Sequence, residues 1–247
     1  LDELIELAKK NNINAFVIDV KGDYGELTFP MSESINKYID LKVRDNIAKI
    51  YDSKILKKLL RYDEVIINGK SYKNLSYYLK YLSKEYLYNI FKDDIYSDIH
   101  GDLTIENIIC NLNTMEEKYY IIDPNSGNIN NSANLDYAKI LQSIHGGYEF
   151  MMRTYDISIE ENQINFLFTK SQAYFYLYKK LNEYMNLKFK KEKIRSIYFH
   201  EIVHWLRLMP YKLKKDGKRA LIFYSGLLMV LNDVIEKYGD RDENKKR

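Results

Sequence analysis

Residues 100 to 107 read His-Gly-Asp-Leu-Thr-Ile-Glu-Asn, and further along Ile121-Ile122-Asp123-Pro124 reads as an apolar strand that runs into an acid. These are the residue types a phosphoryl-transfer site needs. One carboxylate orients an attacking hydroxyl and takes its proton, and hard oxygen donors hold Mg²⁺ against phosphate. On this reading Asp102 is the base, Asn107 offers the metal a neutral oxygen, and Asp123 offers an anionic one. His100 is a catalytic-loop candidate beside Asp102 and holds the loop through hydrogen bonds more than it does chemistry. Between Asp102 and Asp123 there is room for one hairpin.

The elements that must position this set can be read from periodicity. Residues 70 to 91 place Leu75, Tyr78, Leu79, Leu82, Tyr86 and Ile90 on one face, which predicts an amphipathic helix before the loop. Ile108-Ile109-Cys110 and Tyr119 to Ile122 predict the hairpin. Asn134 is placed to cap a helix from Leu135 that ends near Gly146-Gly147. Ser158 and Glu161 have the spacing of a capping box and predict a helix from Asn162 to Leu187. Two more helices come next, over 191–208 and 217–238, then a charged tail. At the N-terminus a helix is predicted over 1–10 and a strand at Ala15 to Val20, with Asp23, Gly25 and Pro30 breaking the chain. The expected class is α+β, mostly helical, with a small hairpin, divided as an N-terminal segment 1–64, a main lobe 65–239 and a tail 240–247.

The motif His100-Gly101-Asp102-Leu103-Thr104-Ile105-Glu106-Asn107 and the later run Leu135 to Phe150 resemble the aminoglycoside phosphotransferase and choline kinase-like family. Within it they are most similar to phosphotransferase-type proteins of bacterial surface-polysaccharide gene clusters. The resemblance spans roughly residues 65 to 235. It implies a protein kinase-like C-terminal lobe, ATP with Mg²⁺ as cofactors, and a sugar-like hydroxylated small molecule as substrate. It also implies a supporting role for Asp136 behind the loop. The region His204 to Tyr211 reads His-x-x-Arg-x-x-Pro-Tyr as in those proteins, so His204 and Arg207 are candidates for acceptor binding or for packing. His145 and Tyr148, beside two glycines, are further substrate-binding candidates. An ATP-binding lobe with a glycine-rich loop and a lysine-bearing strand is not found upstream of His100. Either residues 1–30 are the tail of such a lobe or the lobe is absent, and the chain, which opens on Leu1, is then incomplete by itself. If no upstream lobe exists, the chain reads instead as a non-catalytic binding module.

Two other patterns compete. His200-Glu201-Ile202-Val203-His204 is H-E-x-x-H, two imidazoles one helical turn apart with a carboxylate between them, the arrangement of zinc peptidases. It lacks an evident third ligand. Leu4 to Ala8 and Asn14 to Gly25 look like the opening βα segment of a family of glycoside-hydrolase barrels. Nothing later alternates β and α as a barrel does, so Asp19 and Asp23 are read as a strand-end pair.

Composition bounds the remaining possibilities. The formal net charge is +3 and the basic residues are dispersed, which gives no nucleic-acid footprint. Lys212, Lys214, Lys215, Lys218 and Arg219 around Gly217 are read as a solvated turn, with phosphate steering as the minor alternative. A single cysteine excludes an internal disulfide. No apolar run reaches membrane-spanning length and no signal sequence opens the chain, so a cytoplasmic protein is expected. The many tyrosines are assigned to base composition rather than to sugar stacking. Oligomeric state is not legible.

Overall fold

The computed structural model describes residues 31–111, 118–125, 127–215 and 217–240. The chain divides into two units, Leu1–Pro30 and Met31–Arg247, and the described elements all belong to the second. The helix expected over 1–10, the strand at Ala15 to Val20, and Asp19 and Asp23 lie outside the described residues, as does the tail beyond Asp240.

Helical chain opens the unit: α1 (Met31–Ile39), a π-helical turn (Asp40–Arg44) and α2 (Asp45–Tyr51). Ile35, Tyr38, Ile39, Val43 and Ile50 recur at helical spacing and are all buried. On the outer side Asp40 pairs with Arg44 at 2.9 Å and with Lys84 at 2.7 Å.

Next comes a hairpin where the periodicity predicts the start of a long helix. β1 (Glu64–Ile67) and β2 (Lys70–Lys73) turn over Asn68 and Gly69, whose φ values are 49° and 81°. A two-residue hairpin needs such left-handed pairs, and Asn-Gly supplies them with least strain. The rest of the expected helix is broken into α3 (Leu75–Tyr78), a 3₁₀ turn (Leu79–Leu82) and α4 (Lys84–Phe91). Two side chains set the breaks: Asn74 accepts the Leu75 N–H and Ser83 accepts the Tyr86 N–H, each starting a new helix.

The capping-box reading of Ser158 and Glu161 is also corrected. β5 (Ile157–Glu160) and β6 (Gln163–Phe166) form a second hairpin that turns at Glu161, with φ 52°. The apolar residues alternate with period two, and Ile164 and Phe166 point into the core. The two hairpins join into one sheet, β2-β1-β6-β5, through a parallel β1–β6 pair. Asn162 Nδ2 donates to the Glu64 carbonyl at 3.0 Å, and the Phe166 N–H donates to Asn68 Oδ1 at 2.9 Å. A separate two-stranded sheet, β3 (Ile108–Asn111) with β4 (Lys118–Ile121), forms where a hairpin was predicted. Its Ile109, Tyr119 and Tyr120 are exposed, and so is Cys110.

Five helices complete the unit: α5 (Ala133–Ile144), α6 (Tyr148–Arg153), α7 (Gln172–Lys188), α8 (Lys191–Lys215) and α9 (Gly217–Tyr238). α5 starts two residues earlier than predicted because Ser132, not Asn134, caps it. α8 runs through Pro210 to Lys215, past the predicted end at 208. It packs along α9 and α5 and also touches α2 and α4. Ile197, Phe199, Ile202, Val203, Trp205, Leu206 and Met209 on α8 are fully buried. Burial of each is worth about 1.5–3 kcal/mol, which makes this helix the centre of the core.

A polar chain crosses that core. Asp94 Oδ1 accepts hydrogen bonds from Ser196 Oγ (2.6 Å) and Asn134 Nδ2 (2.8 Å). Its Oδ2 pairs with His200 Nε2 at 2.7 Å, and His200 Nδ1 lies 3.1 Å from the Tyr38 hydroxyl. The His200 ring stacks on Phe91 with centroids 4.0 Å apart. The arrangement is mostly helical with two small sheets, the α+β class expected. Among the described residues no helix is long and apolar enough to cross a membrane.

Candidate functional site

The loop 100–107 is built around one carboxylate. Asp136, in the first turn of α5, accepts the His100 N–H at 2.7 Å and the Gly101 N–H at 2.8 Å, one on each oxygen. Two amides donating to one anion are stronger than neutral pairs and fix the chain direction at this point. Gly101 has φ +79°, and a Cβ there would collide with the side chain of Asn128 and the carbonyl of Asn125. No other residue fits. His100 Nε2 donates to the Ile122 carbonyl at 2.7 Å, which leaves Nδ1 to accept the Asp102 N–H at 3.3 Å. His100 therefore ties the loop to the end of the β3–β4 hairpin.

Asp102 projects from this frame with its side chain 43% exposed, and Lys139 Nζ meets its Oδ1 at 2.8 Å. Burial pulls the Lys139 ammonium below its ordinary pKa, and the Asp102 charge opposes that pull. Asn107 Nδ2 donates to the Asp102 carbonyl at 2.8 Å. The Asn107 carbonyl accepts the Ile122 N–H at 3.0 Å, so Asn107 and Asp123 come within one residue of each other across the hairpin's end. Asp123 is exposed and has φ 56°, a conformation seldom adopted by residues other than glycine. Asn107 and Asp123 bring one amide and one carboxylate to this spot. Among the described residues no group of three or more His, Cys, Asp or Glu is placed to hold a metal ion.

On the far side of the loop stands a carboxyl that sequence reasoning missed. Ser143 Oγ donates to Glu149 Oε1 at 2.5 Å and accepts the Ile105 N–H at 3.4 Å. Glu149 is 5% exposed and its Oε2 is buried without a partner. Burial raises its pKa, against the Ser143 hydrogen bond, and the nearby Glu106 charge adds to the rise. Tyr148 sits in the field of Asp102, Glu106 and Glu149; burial first, then these three acids, raise its hydroxyl pKa. Lys139 was legible in principle, since Asp136, Lys139 and Ser143 lie on one helical face. Glu149 left no such signal, because its position depends on the turn at Gly147.

The remaining candidates fall elsewhere. His204 Nε2 donates to the Leu135 carbonyl at 3.1 Å, one residue from Asp136, and burial with Lys139 and Arg207 nearby holds its pKa far below normal. Arg207 lies alongside, with Nη1 3.5 Å from His204 Nδ1. Both residues thus back the α5 face that carries the loop. His145 is engaged by other acids. Its Nδ1 meets Glu201 Oε2 at 2.9 Å, and Asp233 lies 3.7 Å from Nε2. Burial alone would lower its pKa, but Glu201 and Asp233 outweigh burial and raise it to about 10.

These contacts correct the zinc reading. Asp94 and Tyr38 take both nitrogens of His200, the Leu135 carbonyl takes Nε2 of His204, and His145 takes Glu201. His200, Glu201 and His204 are thus each engaged in hydrogen bonds or ion pairs within the core. The basic turn around Gly217 is likewise engaged: Lys212 Nζ lies 4.1 Å over the Phe223 ring, and Arg219 donates to the Met152 carbonyl.

Residues 1–69 match a family model described as "Putative glycosyl hydrolase domain". No curated protein and no solved structure matches the chain. The match corrects the family resemblance and the function drawn from it. An ATP-dependent phosphotransferase of surface-polysaccharide synthesis, with its kinase-like lobe, has no support from these comparisons. The family model that matches covers residues 1–69, the N-terminal segment that carries the barrel-like opening. ATP entered only through the kinase-like resemblance and has no other support.

Proposed function

We propose that this protein is a glycosyl hydrolase in which Asp102 and Glu149 carry the base and acid chemistry. The observation that carries the class is the family match over residues 1–69. The choice of residues rests on geometry outside the matched segment. Cleaving a glycosidic bond takes one protonated carboxyl that delivers a proton to the leaving oxygen. A second carboxylate acts on water or on the anomeric carbon. Two carboxyls in contrasting surroundings are the usual way to divide these tasks. Asp102 is half-exposed and faces an ammonium. Glu149 is buried, with its pKa raised, and hydrogen-bonded through Ser143 to the same loop. In this reading Lys139 fixes the Asp102 carboxylate, Asp136 and His100 keep the loop rigid, and Tyr148 stands within the field of both acids.

The test is hydrolysis of a panel of aryl glycosides and unmodified oligosaccharides by the whole chain. Asp102→Asn should lower turnover by roughly 10²–10⁴-fold, the usual worth of a positioned base. Glu149→Gln should impair oligosaccharides far more than dinitrophenyl glycosides, whose leaving groups need no proton. Release of sugar from no substrate, or wild-type rates in both variants, would overturn the reading.

A further inference from the structure

A cleft of about 630 Å³ opens between α7, α8 and α9, away from the Asp102 loop. That volume is in the range of small-molecule sites. Its walls are aromatic. Tyr178 stacks on His145 with ring centroids 4.9 Å apart, and Tyr198 stacks on Tyr238 at 4.5 Å. Phe175 lines the mouth with 54% of its surface exposed. The Tyr178 and Tyr198 hydroxyls meet at 3.1 Å, and Tyr198 donates to Asn182 at 2.5 Å, so these two rings are held in place.

The polar lining alternates in sign. Lys170 and Lys237 bring ammonium groups; Asp233 and Glu236 bring carboxylates. At the back the His145 imidazole pairs with the fully buried Glu201, and Asp233 flanks it. Counting that pair, the cationic and anionic groups of the cleft balance. Phosphate would meet two rim carboxylates, while the positive charge of His145 is already spent on Glu201 and Asp233. A cationic ligand would meet Lys170 and Lys237. Lys170 Nζ already donates to the His145 carbonyl at 2.6 Å and lies 5.0 Å from the Phe175 ring, and Lys237 lies over Tyr198 and Tyr238. A neutral molecule whose hydroxyls donate and accept and whose C–H faces rest on aromatic rings therefore meets the lining without an unmatched charge.

We propose that this cleft binds a neutral glycosyl unit, as a carbohydrate-binding subsite separate from the Asp102 loop. Phe175 and Tyr178 offer the stacking surface, and Asp233, Glu236 and Lys170 take the hydroxyls. The inference stands on the cleft and does not require hydrolysis at Asp102.

The experiment titrates the whole chain with neutral α- and β-linked gluco-, galacto- and N-acetylhexosamine disaccharides, followed by calorimetry and tyrosine fluorescence. Spermidine and inorganic phosphate serve as alternative probes. At least one disaccharide should bind saturably. Phe175→Ala and Asp233→Asn should each weaken it about tenfold or more, with far-UV circular dichroism unchanged. Asp102→Asn should bind as the wild type does. No disaccharide binding, binding unaffected by both cleft variants, or preference for spermidine or phosphate would overturn the proposal. Sugar release without cleft binding would sink this inference alone. Cleft binding without sugar release from any substrate would sink only the hydrolase reading.

Discussion

Asp136 spends both oxygens on the backbone of its own site, so its removal isolates the cost of losing the frame. Asp136→Ala leaves the His100 and Gly101 N–H groups without partners. Stability should fall by about 2–6 kcal/mol, at about 1–3 kcal/mol for each stranded donor, read from urea midpoints. Glu149 acts in the opposite sense. Its folded pKa lies above the ordinary value of 4.5, so between the two the folded state holds the extra proton. Its contribution is therefore fully present below the unfolded pKa and is lost as pH rises through the folded one. Glu149→Gln should flatten that decline and raise the melting temperature at pH 8 relative to pH 4. A variant with the same pH slope as the wild type would show that Glu149 is not buried as described. Part of this residue set was legible, because His100, Gly101, Asp102 and Asn107 carry local spacing, whereas Asp136 was reached only through the family resemblance. What the loop is for was not legible. A carboxylate on a glycine-tightened loop serves several chemistries, and the residues do not say which bond is broken.

At the scale of elements, both errors replaced a strand with a helix. Apolar residues in 70–91 satisfied a 3.6-residue period from Leu75 onward, and the reading ran that period back across Lys70 to Lys73. Asn68-Gly69 marked a hairpin just before it and was passed over. In 157–166 the Ser158–Glu161 spacing masked the alternation of Ile157, Ile159, Ile164 and Phe166. α5, α8 and α9 were legible because their apolar faces are long, whereas the short α6 was not foreseen and α7 begins at Gln172 and not at Asn162. The first hairpin can be tested by itself. A Cβ at Gly69 meets nothing within 4 Å, so Gly69→Ala changes only backbone strain at φ +81°. It should cost about 1–2 kcal/mol in chemical unfolding, the penalty for a left-handed residue with a side chain. Gly69→Asn should cost less, because Asn tolerates that region. Equal stability of all three proteins would mean that the turn is not left-handed.

For the unit as a whole, α8 joins chain that is distant in sequence. Its His200 reaches Tyr38 on α1 and Asp94 after α4, while Ser196 and Asn134 close the same network. Asp94 accepts from Ser196, Asn134 and His200, and a donor stranded in the core costs about 1–3 kcal/mol, so Asp94→Ala should destabilise by at least about 3 kcal/mol and lower the thermal midpoint by several degrees. A polypeptide of residues 65–240 would lose Tyr38 and the buried face of α1 and α2, where Ile39, Val43 and Ile50 cover the core. It should melt without a cooperative transition, whereas residues 31–240 should unfold in one step. This convergence was not legible, since no local pattern links residues 38, 94 and 200. The exposed thiol of Cys110 has a different, practical consequence. It is the chain's only cysteine, and it lies on β3 three positions beyond Asn107. A maleimide fluorophore would therefore attach at one defined place without engineering, beside the loop that carries Asp102, and its emission would report ligand arrival there in a native, unmutated protein.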